Sequence, residues 1–209
     1  MKIKVLSVLA IISILFTACG GETKDKHAEE TTTETAVVAE TYKADITTSA
    51  VNWRGEVFGV YGHEGYVNLQ SGWVTLEGET IIAGEIYVDM SNIVPTDSAS
   101  FTQEEGHRIT DLQGHLTTGD FFNTSEFPTS IFIITSVEGN TIKGNLTVRD
   151  KTNEETIEVE SLEVVDGKLT AKGKLVFNRQ NYDVAWVHYM KDMVLSDDIT
   201  LNLTLVANK

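Results

Sequence analysis

The chain has 209 residues, of which 41% are hydrophobic, and this is enough to bury the core of one domain. Its formal net charge of -15 at pH 7 argues against nucleic-acid binding and against a basic patch that binds anionic membranes. The single cysteine excludes an intramolecular disulfide and a metal site built on paired cysteines.

The N-terminus has the layout of a bacterial lipoprotein signal. Lys2 and Lys4 form a short basic region, residues 5–16 form an apolar stretch, and small residues precede Cys19. The apolar stretch is shorter than the roughly 20 residues that a membrane-spanning helix needs. We therefore predict that residues 1–18 are a cleaved signal peptide and that Cys19 is lipidated. The alternative is an ordinary secretory signal that leaves Cys19 as a free thiol.

The composition changes after the cysteine. Residues 20–45 are rich in Gly, Glu, Thr, Ala and Lys and carry too little apolar surface to offset the entropy lost on folding. Residues 19–47 are predicted to be a flexible acidic tether, and residues 48–209 the folded domain. Gly20 is not the acidic residue that retains some lipoproteins in the inner membrane. The expected location is the cell envelope, with the outer membrane favoured at its periplasmic face or its surface.

From about residue 48 the sequence alternates between apolar and polar residues, the period of a β-strand with one buried face. Hairpin signals separate the runs at Glu77-Gly78, Glu138-Gly139-Asn140 and Asp166-Gly167. About eight antiparallel strands follow from this pattern. The longer inward faces are expected to be Ile82, Gly84, Ile86, Val88 and Met90; Ile142, Gly144, Leu146 and Val148; Leu169, Ala171, Gly173, Leu175 and Phe177; and Ile199, Leu201, Leu203 and Leu205.

Such strands form either a two-sheet sandwich or a closed barrel. Gly84, Gly144 and Gly173 fall on inward positions, and strong curvature or an occupied lumen explains them better than a flat packed sandwich does. We therefore predict an all-β fold, an antiparallel eight-stranded β-barrel.

One segment, residues 95–128, breaks the alternation. Gly106 and Gly114 weaken any long helix there, so the segment is predicted to form short helical pieces packed across one end of the barrel. Phe121 and Phe122 follow. The apolar residues of the segment form a lid, or alternatively they only seal the core. Those at helical spacing are Phe101, Ile109, Leu112 and Leu116.

An ordered set of motifs carries a resemblance to a known family. The motifs are Val88-Asp89-Met90-Ser91-Asn92-Ile93, Leu112-x-x-His115-Leu116-x-x-x-Asp120-Phe121-Phe122-Asn123, Phe127-Pro128-x-x-x-Phe132, Gly144-Asn145-Leu146-Thr147-Val148-Arg149-Asp150 and Phe177-Asn178-Arg179-Gln180-Asn181-Tyr182-Asp183-Val184. Over residues 48–207 they resemble the YceI-like family of polyisoprenoid-binding, lipocalin-like proteins. The resemblance implies a lipocalin-like barrel whose apolar lumen holds a polyprenyl or quinone-like lipid in the bacterial envelope.

A lumen of this kind binds its ligand mainly through apolar contacts, at about 0.8 kcal/mol per buried methylene. Phe121 and Phe122 are expected to close one end of it or to pack within the lid. Strand parity nominates eight inward residues for ligand contact: Trp53, Val67, Ile86, Val88, Phe132, Leu146, Phe177 and Leu203.

Arg179 is the polar residue predicted to lie at this site. It continues the inward face of Phe177, and a buried guanidinium must be paired. Asp89 or Asp183 is the expected partner. Arg179 then either clamps one end of the barrel or contacts the head group of the ligand.

The histidines do not form a recognisable catalytic or metal-binding motif. His107 and His115 would be about 12 Å apart along a helix, too far to share one metal ion. His63 and His188 lie in separate regions, and neither paired cysteines nor a nucleophile motif occurs. We predict no catalytic residue, no metal and no cofactor.

The leading hypothesis is a non-enzymatic protein that sequesters, transports or stores an isoprenoid-like lipid and is held at the membrane by an N-terminal lipid anchor. The alternative is an envelope interaction or structural module whose barrel is packed solid. No nucleic-acid partner is expected. The sequence leaves the oligomeric state open, a homodimer included.

Overall fold

The computed structural model describes residues 38–58, 61–187 and 194–209. The predicted signal peptide, Cys19, most of the predicted tether and His188 lie outside the described residues. The described residues form nine strands: β1 Ala39–Ala44, β2 Ala50–Val57, β3 Tyr61–Glu77, β4 Thr80–Pro95, β5 Thr129–Glu138, β6 Thr141–Val148, β7 Lys151–Val165, β8 Lys168–Asn178 and β9 Asp198–Asn208. They also form one α-helix, α1 (Ile109–Thr117), and two 3-10 helices, Ser98–Ser100 and Arg179–Tyr182.

The strands close into an antiparallel barrel. Hydrogen-bonded neighbours follow the order β3-β2-β9-β8-β7-β6-β5-β4, and β4 pairs back with β3. The ring has eight positions, which confirms the predicted eight-stranded barrel and excludes a two-sheet sandwich. β1 and β2 share one position in the ring, because both pair with β3. β2 pairs with residues 61–68 of β3, and β1 pairs with residues 73–77 farther along the same strand.

β1 lies within the segment predicted to be a tether. Its Tyr42 is only 2% exposed and pairs with Val74 of β3. The folded domain therefore begins by Ala39 and not after residue 47, and the tether before it stays a prediction. A six-residue strand with one buried aromatic residue shows too little alternation to be recognised inside a polar segment.

The two ends of the barrel are built differently. At the lid end, the lid segment (residues 96–128) connects β4 to β5. At the far end, Gly78, Gly139 and Gly167 turn three hairpins with φ of 63°, 59° and 75°, as the turn signals predicted. Side chains at most 2% exposed pack across this end and form what we call the far-end floor: Tyr42, Leu76, Leu169 and Ala207.

Alternation places side chains as expected over most of the wall, and β6 and β8 bury every second residue. On β4, however, the prediction that Ile82 faces inward is wrong. Ile82 is 45% exposed and Ile81 is 6% exposed. Thr75 of β3 pairs with Ala83 of β4, but the next residue of β3, Leu76, pairs with Ile81. Ile82 is therefore the extra residue of a β-bulge, and the residues of β4 before it point to the opposite face from the one predicted.

Two of the inward glycines make room for neighbouring groups. A Cβ atom on Gly144 would lie 2.4 Å from Cζ of Phe132, and one on Gly173 would lie 2.9 Å from the carbonyl oxygen of Glu158. Glycine is therefore required at these positions by the close approach of the adjacent strand.

The lid segment forms the short helical pieces that its sequence predicts. Helix α1 lies against β4, with Leu116 buried and Leu112 packed on the core. The carboxylate of Asp111 accepts the backbone N–H of Arg108 at 3.0 Å and so caps the start of α1. Across the described ranges, no helix has both the length and the apolar character needed to span a membrane.

Candidate functional site

A cavity of about 1010 Å³ occupies the interior of the barrel. Aliphatic and aromatic side chains from β2 to β9 form most of its wall, and the lid segment completes it. The volume lies at the upper end of the roughly 300–1,000 Å³ that small-molecule pockets usually have. A barrel packed solid, which was the alternative hypothesis, is not compatible with this interior.

All the residues nominated for ligand contact lie on the wall of this cavity. Whether they contact a ligand stays a prediction, because a place on the wall does not itself establish binding. They are Trp53, Val67, Ile86, Val88, Phe121, Phe122, Phe132, Leu146, Phe177, Arg179 and Leu203.

Other wall residues were not nominated. Leu175, Leu201 and Leu205 share the parity of nominated neighbours on β8 and β9, so the alternation could have identified them. Trp186 and Leu195 also line the cavity, but they come from the connection between β8 and β9. That connection has no regular period, and its contribution could not be read from the sequence.

The cavity reaches the surface at the lid end. Tyr61, Ser100 and His107 are exposed residues of its wall, and they lie between the β2–β3 hairpin and the lid segment. The far-end floor closes the opposite end.

A cluster of aromatic rings forms the underside of the lid. The ring of His115 lies 4.9 Å from Phe121 and 5.0 Å from Trp186, and Phe121 lies 5.5 Å from Trp186. Phe122 is 6.2 Å from Phe121. Because these residues pack against the core and also line the cavity, the lid both seals the core and forms part of the cavity wall.

His63 connects the barrel wall to the lid segment. Its Nδ1 lies 2.8 Å from Oδ2 of Asp97, and its ring stacks on Phe101 with centroids 4.9 Å apart. Burial raises the pKa of the Asp97 carboxyl, but the hydrogen bond and the charge of His63 outweigh burial and lower this pKa below its ordinary value. The start of the lid segment is thereby fastened to β3.

Arg179 is 3% exposed and is paired differently from the prediction. Its carboxylate partner is Asp197, at 3.0 Å, and not Asp89 or Asp183. Arg179 leaves the line of β8 in the 3-10 helix Arg179–Tyr182, and its backbone N–H donates to the Asp197 carbonyl at 2.7 Å. Asp183 pairs instead with Lys151, at 3.1 Å.

The guanidinium of Arg179 is fully engaged by the protein. Nε donates to the Ser196 carbonyl, Nη1 to those of Val184 and Trp186, and Nη2 to the Leu195 carbonyl and to the Asp197 carboxylate. Burial lowers the pKa of Arg179, and the charge of Asp197 only partly offsets this effect. Of the two roles considered for Arg179, the contacts favour the clamp at the end of the barrel.

Arg108 is the other arginine on the cavity wall. Its Nε and Nη2 donate to the two carboxylate oxygens of Asp111, each at 3.0 Å. Hydrogen bonds from Arg108 lower the pKa of the Asp111 carboxyl, and burial opposes them only in part. This bidentate pair lies at the start of α1 beside the mouth of the cavity.

Polar groups on the described residues give no sign of a metal centre. No three His, Cys, Asp or Glu side chains of this part of the chain come together as metal ligands. Buried side-chain nitrogen atoms without a hydrogen-bond partner are Trp53 Nε1 and Arg149 Nε, and only Trp53 belongs to the cavity wall. The absence of a metal, a cofactor and a catalytic residue stays a prediction.

The sequence of residues 42–207 matches the family model of the YceI-like domain. Among curated proteins, a UPF0312 protein of Staphylococcus aureus strain MSSA476 is 40% identical over 77 residues, which is 34% of this chain and 44% of that protein. A counterpart from strain N315 is 42% identical over 77 residues, with the same coverage of each chain. The chain thus spans less than half the length of these relatives.

Two solved structures have the same fold. BcnA of Burkholderia cenocepacia superposes with a TM-score of 0.60 at 16% identity, covering 79% of this chain and 99% of BcnA. A polyisoprenoid binding domain from Saccharophagus degradans superposes with a TM-score of 0.50 at 8% identity, covering 80% of this chain and 97% of that domain.

Proposed function

Since this chain belongs to the YceI-like family, we propose that it binds an isoprenoid-like or other long-chain lipid inside its barrel. The observation that carries this proposal is the apolar cavity of about 1010 Å³ inside the closed barrel. The fold shared with the polyisoprenoid binding domain of Saccharophagus degradans supports it.

The energetics of the wall suit such a ligand. Each methylene transferred from water to the cavity contributes about 0.8 kcal/mol, so a chain of several isoprene units binds without a charged contact. An interior of this volume also lacks the packing contacts that a solid core would have. An apolar chain restores those contacts.

The proposal extends to the cell envelope. Cys19 follows the predicted signal peptide, and lipidation of Cys19 would hold the barrel at a membrane from which it could take its ligand. The tether predicted between Cys19 and β1 would give the barrel a reach of a few tens of ångströms. Sequestration, transport and storage of the lipid are all consistent with this arrangement.

The binding proposal is tested on protein purified without detergent from a bacterial host. Native mass spectrometry and organic extraction should recover a long-chain lipid at close to one molecule per barrel. Ala171 lies on the cavity wall, so Ala171→Phe should fill part of the lumen and weaken lipid retention by about tenfold, the equivalent of losing roughly two buried methylenes. Val176→Phe is the matched control, because Val176 on the same strand is 43% exposed. Empty wild-type barrels, or equal retention by both variants, would contradict the proposal.

The anchor proposal is tested separately by fractionation. Cys19→Ala should move the protein from the membrane fraction to the soluble fraction and leave lipid binding by the barrel unchanged. Membrane association of the Cys19→Ala variant equal to that of the wild type would contradict lipid anchoring at this residue.

A further inference from the structure

Three exposed apolar side chains lie beside the mouth of the cavity. Phe58 is 60% exposed, Val187 is 76% exposed and Val194 is 56% exposed. We call these three residues the mouth patch. None of them lines the cavity, but each is the direct chain neighbour of a residue of its wall: Val57, Trp186 and Leu195.

Backbone contacts bring the parts of the mouth patch together. The N–H of Phe58 donates to the carbonyl of Val194 at 2.9 Å, so the β2–β3 hairpin lies against the connection between β8 and β9. The guanidinium of Arg179 donates to the carbonyls of Trp186 and Leu195, at 3.1 and 3.5 Å. The two halves of that connection therefore lie side by side, and the clamp at the end of the barrel also assembles the patch.

The surface around the mouth patch carries no charge on the described residues that form it, which are 57–58, 61–62, 184–187 and 194–196. The charged residues that adjoin it are already paired. Glu56 is 2.8 Å from Arg54, and Asp197 is 3.0 Å from Arg179. A contiguous exposed apolar surface without charge marks a site of contact with another apolar surface.

Exposed apolar residues at the far end have different surroundings. Val165 is 63% exposed, but it pairs with Lys168 across its hairpin and precedes Asp166. Single exposed apolar residues among charged neighbours are normal on a protein surface. The mouth patch differs from them because its members adjoin one another and border an opening.

β1 joins the barrel at the end opposite the mouth patch. Ala39 pairs with Glu77, next to the far-end turn at Gly78. The 17 residues of β3 rise roughly 55 Å along the strand from the lid end to this turn. Residues 20–38 could span at most roughly 65 Å. A lipid anchor at Cys19 would therefore still permit the lid end to meet the membrane.

We propose that the mouth patch docks the barrel on the surface of a lipid bilayer, so that the cavity opens onto the membrane. This inference rests on the proposed function, because a membrane is where a long-chain lipid is dissolved. Tyr61 and Trp186 of the cavity wall border the patch, and Tyr and Trp favour the boundary between membrane and water. With a net charge of -15, the protein docks through apolar contact and not through attraction to anionic lipids.

Vesicle sedimentation tests docking directly. The test uses residues 20–209, which contain every described strand and helix but neither the predicted signal peptide nor Cys19. The wild type should sediment with phosphatidylcholine vesicles to the same extent in low and in high salt. Phe58→Ser should weaken this binding by about tenfold, a difference of roughly 1.4 kcal/mol. Val165→Ser is the matched control, since Val165 has nearly the same exposure at the far end and should leave binding unchanged.

A second measurement separates docking from the affinity of the cavity. Because Phe58 does not line the cavity, Phe58→Ser should bind farnesol, a short isoprenoid alcohol, as tightly as the wild type does. Binding is followed by the fluorescence of Trp53 and Trp186, which line the cavity. Transfer of a fluorescent long-chain lipid from phosphatidylcholine vesicles to the barrel should nevertheless slow several-fold in Phe58→Ser. Equal transfer rates would overturn the proposal.

The outcomes separate docking from lipid binding. A wild type that retains lipid but does not bind vesicles overturns docking and leaves the lipid-binding function standing. Self-association that Phe58→Ser abolishes, without vesicle binding, assigns the patch to an interface between copies and also overturns docking. Equal weakening by Phe58→Ser and Val165→Ser has the same consequence. If no long-chain lipid is recovered from the barrel, the lipid-binding function is overturned and the docking inference falls with it.

Discussion

At the scale of single residues, Arg179 shows how a charge can stabilise the end of a hollow barrel. Its guanidinium joins the end of β8, the connection that follows and the start of β9. The Arg179 side chain is 3% exposed, whereas the Asp197 side chain is 52% exposed. Removal of Arg179 is strongly destabilising because its carbonyl acceptors are left without a donor. These contacts favour a structural role for Arg179.

Arg179→Met is expected to lower the free energy of unfolding by about 3–5 kcal/mol, because several backbone carbonyls lose their donor at roughly 1–3 kcal/mol each. Urea unfolding followed by circular dichroism measures this change. Arg54→Met is the matched control, since Arg54 pairs with Glu56 and Glu64 but its side chain is 46% exposed. An exposed ion pair contributes about 0–1 kcal/mol. Similar losses in the two variants would show that Arg179 is not the clamp described here.

Asp97 gives a prediction about pH. Its pKa is lower in the folded protein than its ordinary value, so the ionised carboxylate favours folding. This contribution is fully present above the unfolded pKa of about 3.9 and is lost as the pH falls through the lower folded pKa. Asp97→Asn should therefore be less stable than the wild type at pH 5, and the gap should close toward pH 2.5.

Urea unfolding at a series of pH values measures the gap. Asp120→Asn provides the comparison, because the Asp120 side chain is 69% exposed and its contact with the His115 imidazole is long, at 3.8 Å. If the difference in free energy of unfolding between Asp97→Asn and the wild type stays constant with pH, ionisation of the Asp97 carboxyl does not contribute to stability.

At the scale of elements, α1 is short and contains a glycine in its middle. An isolated nine-residue helix is marginal in water, so α1 depends on its packing against β4 and on its cap. Gly114 within it costs roughly 0.5–1 kcal/mol relative to alanine. The lid segment is therefore expected to be among the less stable elements of the barrel.

Gly114→Ala should stabilise α1, because a Cβ atom there meets nothing within 4 Å. Amide hydrogen exchange across residues 109–117 should slow by about two- to fivefold, which corresponds to roughly 0.4–1 kcal/mol. Gly106 is the control: it is equally open, but its φ of +83° strains any other residue. Gly106→Ala should therefore speed exchange or leave it unchanged. Slower exchange in both variants would contradict the explanation by backbone conformation.

Strands and hairpins could be predicted because their signals are local. Alternation on β6 and β8 and glycines at the three far-end hairpins follow from two-residue periodicity and positive φ. Register depends on the neighbouring strand, and local pattern does not encode it. On β3 the buried residues pass from Val67 and Leu69 to Val74 and Leu76 because of a β-bulge between Leu69 and Ser71.

Residues of the candidate site that lie on strands could also be predicted from the sequence, whereas those that depend on an irregular connection could not. Wall residues such as Leu146 and Phe177 were found from parity, since a closed barrel sends one face of every strand inward. Asp197 as the partner of Arg179, and Trp186 as a wall residue, depend on how an irregular connection folds back on the barrel. No sequence period describes that path.

At the scale of the whole molecule, the barrel is packed at the far end and hollow toward the lid. The far-end floor is at most 2% exposed and fills the space between the strands, whereas the middle of the barrel encloses about 1010 Å³. The side chains around the cavity lack the contacts that a packed core provides. A lipid bound as proposed would supply these contacts and so complete the core.

Removal of the lipid should consequently destabilise the whole barrel. A ligand present at 100 times its Kd stabilises the folded state by about 2.7 kcal/mol. For a domain of this size that corresponds to roughly 5–11 °C in Tm. Calorimetry of delipidated protein with and without added farnesol measures the difference. In Ala171→Phe the added ring replaces part of the ligand, so the shift in Tm should shrink, whereas Val176→Phe should keep the full shift. A delipidated wild-type barrel whose Tm does not respond to farnesol would mean that the cavity is not completed by a lipid.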